Sequence, residues 1–410
     1  MISIGYKGII GGIGIVALLL RIAVMLALSN GRLVSPDSYS YLGLADSISH
    51  GNYSFEIGQD HVFPADLLRP PGYPLFLAAT GTTTPQKASV AGFLECIIAA
   101  LFCCVLGLVV ARHFGPKIGI FACAVFAIEP SSVMYDQRIL ADGLVALLIG
   151  ASLLSFLEYL RIKHMRFVAL AGLICGIAIL VKPIAIMLLP ALAVSWFMSK
   201  PRRVAALALG LACISAVAVP WAIRNYMKYH LFTISEISTV NMYFYTAAFA
   251  EHPDLSDAEQ AQYLREVASE HHTPALTHHE LVQRTGAVIE SHPGVVLKQA
   301  SIGALRTALG PGGETITSIL PSRTAHYVIA ISLLLIVAIW IAAVIGIFRI
   351  GVSNPATILL LLSIVFLLLP AASPAGYSRF RIALIAPLAI LAGAAASSKK
   401  VLFPSTETSR

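Results

Sequence analysis

Residues 35–77 read SPDSYSYLGLADSISHGNYSFEIGQDHVFPADLLRPPGYPLFL and lie between two long apolar segments, 8–29 and 88–111. The stretch carries five acids and ends with a stiff Arg-Pro-Pro-Gly-Tyr-Pro run at residues 69–74. Loops that are held on a rigid scaffold usually carry function. We therefore predict a membrane-embedded helical bundle whose first outer loop, residues 30–87, contains the active site.

The composition indicates a chain that crosses the membrane many times. Hydrophobic residues make up 57% of the sequence and charged residues only 12%, whereas soluble domains contain about 25% charged residues. Residues 8–29 are too long for the apolar core of a signal peptide and lack a small-residue cleavage site, so we interpret them as a retained first helix. The predicted fold class is an all-α polytopic membrane protein.

Ten apolar runs approach or reach the length needed to cross a bilayer, which is about 17–25 helical residues. They are 8–29, 88–111, 117–134, 139–160, 167–181, 183–198, 204–223, 326–348, 355–372 and 380–397. The runs on either side of Lys182-Pro183 are short. They form either a tilted hairpin broken at this dipeptide or a pair in which one half does not fully cross.

Charge differs between alternate loops of this pattern. The basic turns contain Arg112, Lys117, Arg161, Lys163, Arg166, Lys200, Arg202, Arg203, Arg349, Lys399 and Lys400. Because cytoplasmic loops are rich in Lys and Arg, these turns and both termini are predicted to face the cytoplasm. The chain then divides into an N-terminal transmembrane module (1–223), a large outer helical loop (224–325) and C-terminal transmembrane helices with a short tail (326–410).

The large outer loop contains helix signals. Two capping boxes predict helices over 257–272 and from 277 to about Ser291. Residues 294–309 have an amphipathic pattern, which predicts a helix along the membrane surface.

Asp37 is the first candidate catalytic residue. It follows Ser35-Pro36 and opens a predicted helix that Gly51 ends. Two interpretations stay open. An acid in the first turn of a helix is stabilised by the helix dipole, and a carboxylate near the membrane surface can accept a proton from an acceptor hydroxyl as a general base.

The second outer loop, residues 135–142, adds further candidates. Asp136, Arg138 and Asp142 lie in this short connection between two predicted spans. They are either helix caps with an Arg–Asp pair or part of the site that the first outer loop faces.

Four cations lie at the outer ends of predicted spans, namely Lys182, Arg224, Arg379 and Arg381. Positive charges on this side run against the usual distribution and need a counter-charge. That counter-charge is either an outer-loop acid or a phosphate, which arginine binds well with its planar fork of donors.

Two ionisable residues fall inside predicted spans. Arg21 and Glu95 both lie about 10–12 Å below the outer surface at the rise of an α-helix. Their equal depth predicts a structural ion pair between adjacent helices.

No cofactor motif is evident. The six cysteines lie in apolar segments without a Cys-x-x-Cys spacing, which indicates reduced core residues. The paired histidines His271, His272, His278 and His279 point in different directions on a helix, so solvated positions are favoured over a metal site. The pattern assigns no cofactor and leaves the use of a divalent metal ion open.

Several short motifs together resemble a known family. They are Asp37-Ser38-x-x-Tyr41, Arg69-Pro70-Pro71-Gly72-Tyr73-Pro74, Glu129-Pro130, Leu140-Ala141-Asp142, Val181-Lys182-Pro183, Pro220-Trp221-x-x-Arg224-Asn225 and Arg379-Phe380-Arg381. In this order the chain resembles the GT-C glycosyltransferases, specifically the family 39 type that includes relatives of protein O-mannosyltransferase and of the lipid A aminoarabinose transferase.

The resemblance implies an inverting transfer of a sugar from a polyprenyl-phosphate donor, such as an undecaprenyl-phosphate sugar, to a glycan, lipid or protein acceptor. The reaction would take place on the outer face of a bacterial inner membrane. Asp37 matches the catalytic base, and Asp142 or, in another register, Asp136 matches a second acid. The residues predicted to bind the substrate or its phosphate are Arg69, Tyr41, Arg138, Lys182, Arg224, Arg379 and Arg381.

Two other functions compete with this one. A transporter or flippase for a lipid-linked sugar usually has polar and broken-helix features near the midplane, often in repeats, whereas the polar residues here concentrate on one face. A non-catalytic subunit that binds a polyprenyl phosphate is the third alternative.

Overall fold

A computed structural model describes residues 5–29, 31–55, 63–198, 202–247, 273–372 and 377–397, together with the single positions 250, 259 and 262. These residues are predominantly helical and include no β-strand. The predicted all-α polytopic class is confirmed.

The helices follow the apolar runs of the sequence. Helices α1 to α9 are Tyr6–Leu28, Pro36–Ser49, Ala65–Leu68, Gly72–Ala79, Ala88–Phe114, Pro116–Ile128, Pro130–Tyr135, Ala141–Ile162 and Arg166–Val181. Helices α10 to α18, numbered over the described residues, are Leu188–Met198, Arg203–Tyr229, Ile237–Met242, Pro274–Ser291, Pro293–Leu309, Gly313–Ile319, Ser322–Ile350, Pro355–Leu368 and Ile385–Ala394. Short 3₁₀ helices cover Pro85–Lys87, Pro183–Met187, Leu369–Ala371 and Ser378–Leu384.

Five helical stretches among the described residues are long and apolar enough to cross a membrane. They are Tyr6–Leu28, Pro85–Phe114, Ala141–Ile162, Arg203–Tyr229 and Ser322–Ile350. Four further apolar helices are shorter, at Pro116–Ile128, Arg166–Val181, Pro183–Met198 and Pro355–Ala371. The ten predicted spans are therefore not all present as full-length helices.

Proline explains much of the difference. The predicted span 117–134 is interrupted at Glu129-Pro130, where α6 ends and the short α7 begins. Proline lacks a backbone donor and clashes with the preceding turn, so it is favoured at the start of a new helix. The predicted break at Lys182-Pro183 is confirmed, since α9 ends at Val181 and a 3₁₀ helix begins at Pro183.

Helix α8 lies at the centre of the bundle. Its apolar stretch is 83% buried, against 22% to 56% in the other four long helices, and it packs against α5 and α9. Its first turn carries Asp142 and its last turn carries Arg161. Both ends of the central helix therefore present charged side chains.

Residues 224–325, which were predicted to form the large outer loop, are mainly helical where they are described. Helix α13 begins at Pro274, with the Thr273 side chain accepting a hydrogen bond from the Leu276 amide, and ends at the predicted Ser291. Helix α14 confirms the helix predicted over 294–309. The helix predicted over 257–272 lies outside the described residues.

The Arg-Pro-Pro-Gly turn packs directly against the end of α9. A Cβ atom on Gly72 would lie 2.7 Å from the Leu180 carbonyl oxygen and 2.7 Å from the Val181 nitrogen. Because both neighbours are backbone atoms, neither can move aside as a side chain would. Gly72 therefore lets the first outer loop approach the backbone immediately before Lys182.

We expect Gly72→Ala to destabilise the protein by about 1–3 kcal/mol, the usual cost of overpacking. The measurement is unfolding of the detergent-purified protein. Gly286→Ala is the matched control, because Gly286 lies inside α13 with no atom within 4 Å of the added Cβ, and alanine favours a helix. Equal stability of Gly72→Ala and wild type would contradict the close packing of this turn.

Candidate active site

Asp37 lies in the first turn of α2, but its carboxylate does not cap the helix. Ser35 is the N-cap residue, and the Ser38 hydroxyl completes a capping box by accepting a hydrogen bond from the Ser35 amide at 2.9 Å. The two Asp37 carboxylate oxygens accept hydrogen bonds from Arg69 Nη2 and Arg379 Nη2, each at 3.0 Å. The side chain keeps 36% of its surface exposed, so it lies between two arginines at an accessible position.

Arg69 is fixed on several sides. Its Nε donates to the Ser40 hydroxyl at 3.1 Å, and its guanidinium lies 4.8 Å from the centroid of the Tyr41 ring. Its backbone carbonyl accepts a hydrogen bond from the Tyr53 hydroxyl at 2.8 Å. Arg69 therefore holds one face of the Asp37 carboxylate in a defined orientation.

Lys182 and Asp142 form the neighbouring pair. Lys182 follows α9 in an extended conformation, and its Nζ donates to Asp142 Oδ1 at 2.6 Å. Phe380 connects this pair to Arg379, since its ring lies 5.1 Å from Lys182 Nζ and 5.1 Å from the Arg379 guanidinium carbon. We refer to Asp37, Arg69, Asp142, Lys182 and Arg379 as the Asp37 cluster.

The charges of the Asp37 cluster favour the binding of an anion. Burial raises the pKa of Asp37, but the charges of Arg69 and Arg379 and the hydrogen bond from Arg379 outweigh it, so the pKa of this carboxyl lies well below its usual range. Three cations face two carboxylates, which leaves one positive charge in excess. Arg379 and Lys182 are partly exposed, so an incoming phosphate can reach them.

Asp136 lies outside the Asp37 cluster, in a buried ion pair with Arg21. Arg21 Nε donates to Asp136 Oδ2 at 2.8 Å, and the side chains are 0% and 2% exposed. The Ser132 hydroxyl bridges them, at 2.6 Å from each. The predicted Arg21–Glu95 pair is therefore wrong. Glu95 is buried on α5 and is not the partner of this arginine.

Arg381 is also buried, although its neighbour Arg379 faces Asp37. Arg381 Nε donates to Glu129 Oε1 at 2.9 Å, and the two side chains are 1% and 2% exposed. Its Nη1 donates to the Thr307 and Gly310 carbonyl oxygens at 3.0 and 2.8 Å, at the C-terminal end of α14. The prediction that Arg381 binds the donor phosphate is wrong, because this guanidinium is enclosed by its protein partners.

Arg224 belongs to a separate polar cluster around Asp66. The Asp66 carboxylate accepts hydrogen bonds from Arg224, from Lys228 at 2.8 Å and from the Tyr229 hydroxyl at 2.8 Å. Burial raises the pKa of Asp66, but these hydrogen bonds outweigh it and lower the pKa. Since Asp66 lies in the first outer loop and the cations end α11, the Asp66 cluster attaches that loop to the bundle.

Arg138 lies in the second outer loop beside Tyr135, with its guanidinium carbon 5.4 Å from the ring centroid. Its backbone carbonyl accepts a hydrogen bond from the Tyr73 hydroxyl at 3.4 Å. Tyr73 packs edge-on against Tyr41 at 5.1 Å between ring centroids. The backbone of Arg138 thus contacts Tyr73, which packs against Tyr41, and the Tyr41 ring in turn lies against the Arg69 guanidinium.

Sequence reasoning missed three contributors, namely Ser40, Phe380 and Asp66. Phe380 lies in the Arg-Phe-Arg motif, but only the structure places its ring between two cations. Ser40 and Asp66 belong to the acidic first outer loop, and no spacing in that loop distinguishes them from solvated residues.

The described residues do not favour a metal ion at this site. Among them, no group of three or more His, Cys, Asp or Glu side chains is arranged to hold one. His278 instead lies 2.6 Å from Glu236, while His271 and His272 lie outside the described residues. The carboxylates of the Asp37 cluster are paired with arginine and lysine, a set that fits an anion better than a divalent cation.

Comparisons with known proteins identify the fold. A family profile described as dolichyl-phosphate-mannose-protein mannosyltransferase matches residues 68–223. No curated protein sequence gives a significant match. Similar solved structures include an oligosaccharyltransferase from Archaeoglobus fulgidus tethered to an acceptor peptide, with a TM-score of 0.57 at 14% identity over 94% of this chain and 49% of that one.

A second structure, AglB from the same archaeon in complex with an inhibitory peptide and a dolichol-phosphate, has a TM-score of 0.55 at 14% identity over the same shares of the two chains. ArnT from Cupriavidus metallidurans bound to undecaprenyl phosphate has a TM-score of 0.43 at 16% identity, over 93% of this chain and 77% of that one. The chain spans about half the length of the archaeal enzymes. It shares the fold of these archaeal enzymes, and this agrees with the GT-C fold that the sequence resemblance implies.

Proposed function

We propose that this protein is an inverting glycosyltransferase that moves a sugar from a polyprenyl-phosphate donor to an acceptor at the outer, periplasmic face of a bacterial inner membrane. The observation that carries the proposal is the accessible Asp37 carboxylate, which two arginines hold beside an excess of cations. The GT-C fold and the match to a family that uses a dolichyl-phosphate sugar support it.

Arg379 and Lys182 are the groups proposed to bind the donor phosphate. Both lie against Phe380, and both are paired with carboxylates that a phosphate can replace as partner. Fixed cations that face the departing phosphate stabilise the charge that develops there in the transition state. A phosphate leaving group needs little protonation, so these cations suffice.

Asp37 is proposed to act on the acceptor. As the acceptor oxygen forms a bond to the anomeric carbon, the bond from that carbon to the phosphate oxygen breaks and the acceptor proton moves to Asp37. Arg69 keeps the carboxylate oriented. When the donor phosphate draws Arg379 away, the carboxylate loses one of the charges that lower its pKa and becomes a better base.

A cavity that is lined by Pro183, the residue after Lys182, suits the polyprenyl chain. It has a volume of about 460 Å³ and lies between the 3₁₀ helix that begins at Pro183 and the outer half of α11. Its walls are mainly apolar, including Ile186, Ile214 and Val219. The AglB structure contains a dolichol-phosphate, and a lipid carrier of this kind needs an apolar groove that opens beside its phosphate site.

The test is transfer by the purified full chain with a panel of polyprenyl-phosphate sugars and candidate acceptors. We expect release of polyprenyl phosphate together with a glycoside of inverted anomeric configuration, which NMR identifies. Retained configuration would contradict a single displacement with Asp37 as base. Transport of intact donor across liposomes without cleavage would favour the flippase, and donor binding without cleavage or transport would favour a non-catalytic subunit.

A further inference from the structure

A second charged cluster lies at the opposite end of the bundle from Asp37. Arg112 ends α5, Glu158 and Arg161 end α8, and Arg166 begins α9. These four residues line a cavity of about 390 Å³ whose remaining walls include apolar residues of the same helices. We refer to this site as the arginine pocket.

The arginine pocket has an excess of positive charge. Glu158 Oε2 accepts hydrogen bonds from Arg161 Nε at 3.0 Å and Nη2 at 2.7 Å, while Glu158 Oε1 lies 3.7 Å from Arg112 Nε. The Arg166 guanidinium carbon lies 5.0 Å from the centroid of the Phe167 ring. Three arginines and one glutamate thus line the cavity, and the Arg112 side chain is 52% exposed whereas that of Glu158 is 9% exposed.

The position of the pocket matches a lipid headgroup. Asp142 and Arg161 are both on α8, and the helical rise separates them by about 28 Å, close to the roughly 30 Å thickness of the hydrocarbon core. If the Asp37 cluster lies at one surface of the membrane, the arginine pocket lies at the other. This is the side predicted to be cytoplasmic from its Lys and Arg content.

The surroundings of the pocket fit acyl chains. Val105 and Val109 of α5, Leu154 of α8 and Phe167 of α9 line the cavity. Leu101 and Leu170, farther along α5 and α9, are 62% and 43% exposed. An apolar path therefore leads from the cationic pocket along the outside of the bundle.

We propose that the arginine pocket binds the phosphate headgroup of an anionic phospholipid from the leaflet opposite to the Asp37 cluster. Arginine binds phosphate oxygens with two parallel hydrogen bonds, and basic pockets between transmembrane helices are known to hold anionic headgroups. Arg112 and Arg166 are the residues that contact the phosphate, while Glu158 orients Arg161 and limits the net charge. This inference does not depend on the proposed transferase activity.

The test is native mass spectrometry of the detergent-purified full chain with phosphatidylglycerol and with phosphatidylcholine of the same acyl chains. We expect phosphatidylglycerol to bind about 10-fold more tightly, and the double variant Arg112→Ala/Arg166→Ala to weaken it roughly 30-fold, since each cation contributes about fivefold. Lys117→Ala is the matched control, because Lys117 is an exposed cation of the same turn that does not line the cavity. It should change binding less than about twofold.

Glu158→Gln tests the same site in the opposite direction. Removal of the counter-charge should strengthen phosphatidylglycerol binding by about fivefold, a gain that a loss of folding cannot produce. Equal binding of the two lipids, or an equal loss in Lys117→Ala and in the double variant, would overturn the proposal. Displacement of phosphatidylglycerol by an equal concentration of inorganic phosphate would assign the pocket to free phosphate instead.

Discussion

Asp37→Asn is expected to lower sugar transfer by about 10²–10⁴-fold, the usual contribution of a general base, while the protein still folds and binds donor lipid. The amide has the shape of the carboxylate but cannot accept the acceptor proton. The start of α2 should survive, because Ser35 and Ser38 rather than Asp37 form its capping box. The measurement is transfer by purified, donor-loaded protein, with donor binding and melting temperature recorded on the same samples.

Asp46→Asn is the matched control for this experiment. Asp46 lies on the same helix and is 54% exposed, and its one ionic partner among the described residues is the exposed His50, so its variant should transfer sugar at nearly the wild-type rate. Near-normal transfer by Asp37→Asn would remove Asp37 from the mechanism and make Asp142 the next candidate.

The pH dependence separates Asp37 from other bases. Its pKa is lowered by Arg69 and Arg379, so the carboxylate is ionised at every pH above the usual carboxyl value of about 4. Its contribution to stability is present above that value and is lost only as the pH falls through the lower folded pKa. The pH dependence of kcat/KM reports the groups of the free enzyme, so between pH 5 and 8 we expect no change in kcat/KM from Asp37, and an acid limb in this range would report another group.

The sequence predicted the main parts of the Asp37 cluster because they lie in motifs with a distinct order. Asp37, Arg69, Asp142, Lys182 and Arg379 come from five separate segments, and the structure places them together. The break at Lys182-Pro183 could be predicted from the sequence, because a proline disfavours the helical conformation of the residue before it.

The ionic partners inside the bundle were not predictable in the same way. Equal depth suggested Glu95 as the partner of Arg21, and this argument assumed straight, continuous helices. The break at Glu129-Pro130 instead starts α7, whose residue Ser132 and the following Asp136 contact Arg21. Depth along ideal helices is therefore a poor guide where a proline redirects the chain.

Arg379 and Arg381 show a second limit of sequence reasoning. They are two residues apart and were assigned the same role, yet they lie in a 3₁₀ helix, where three residues make one turn. Residues two apart then point about 120° away from each other around the axis. One guanidinium faces Asp37 and the other enters the core, because two residues of the same type at this spacing do not share a face of the helix.

Arg381→Met is expected to destabilise the protein by about 3–5 kcal/mol, because it leaves the buried Glu129 carboxylate without its partner. It also removes the donors that satisfy the last carbonyl groups of α14. Since Arg381 anchors the 3₁₀ helix that carries Arg379, donor binding should weaken together with stability. The measurement is denaturant unfolding of the purified protein, followed by donor binding under conditions in which the variant is folded.

Two further variants decide whether the loss comes from the unpaired charge. Arg284→Met removes a partly exposed i,i+4 pair with Glu280 and should cost less than about 1 kcal/mol, as surface ion pairs do. The double variant Arg381→Met/Glu129→Gln should recover part of the stability lost in Arg381→Met, because no buried charge is then left without a partner. If Arg381→Met costs no more than Arg284→Met, the Arg381–Glu129 pair is not what holds Arg379 at Asp37. If the double variant is stable but still fails to bind donor, the pair matters for placing Arg379 and not only for folding the bundle.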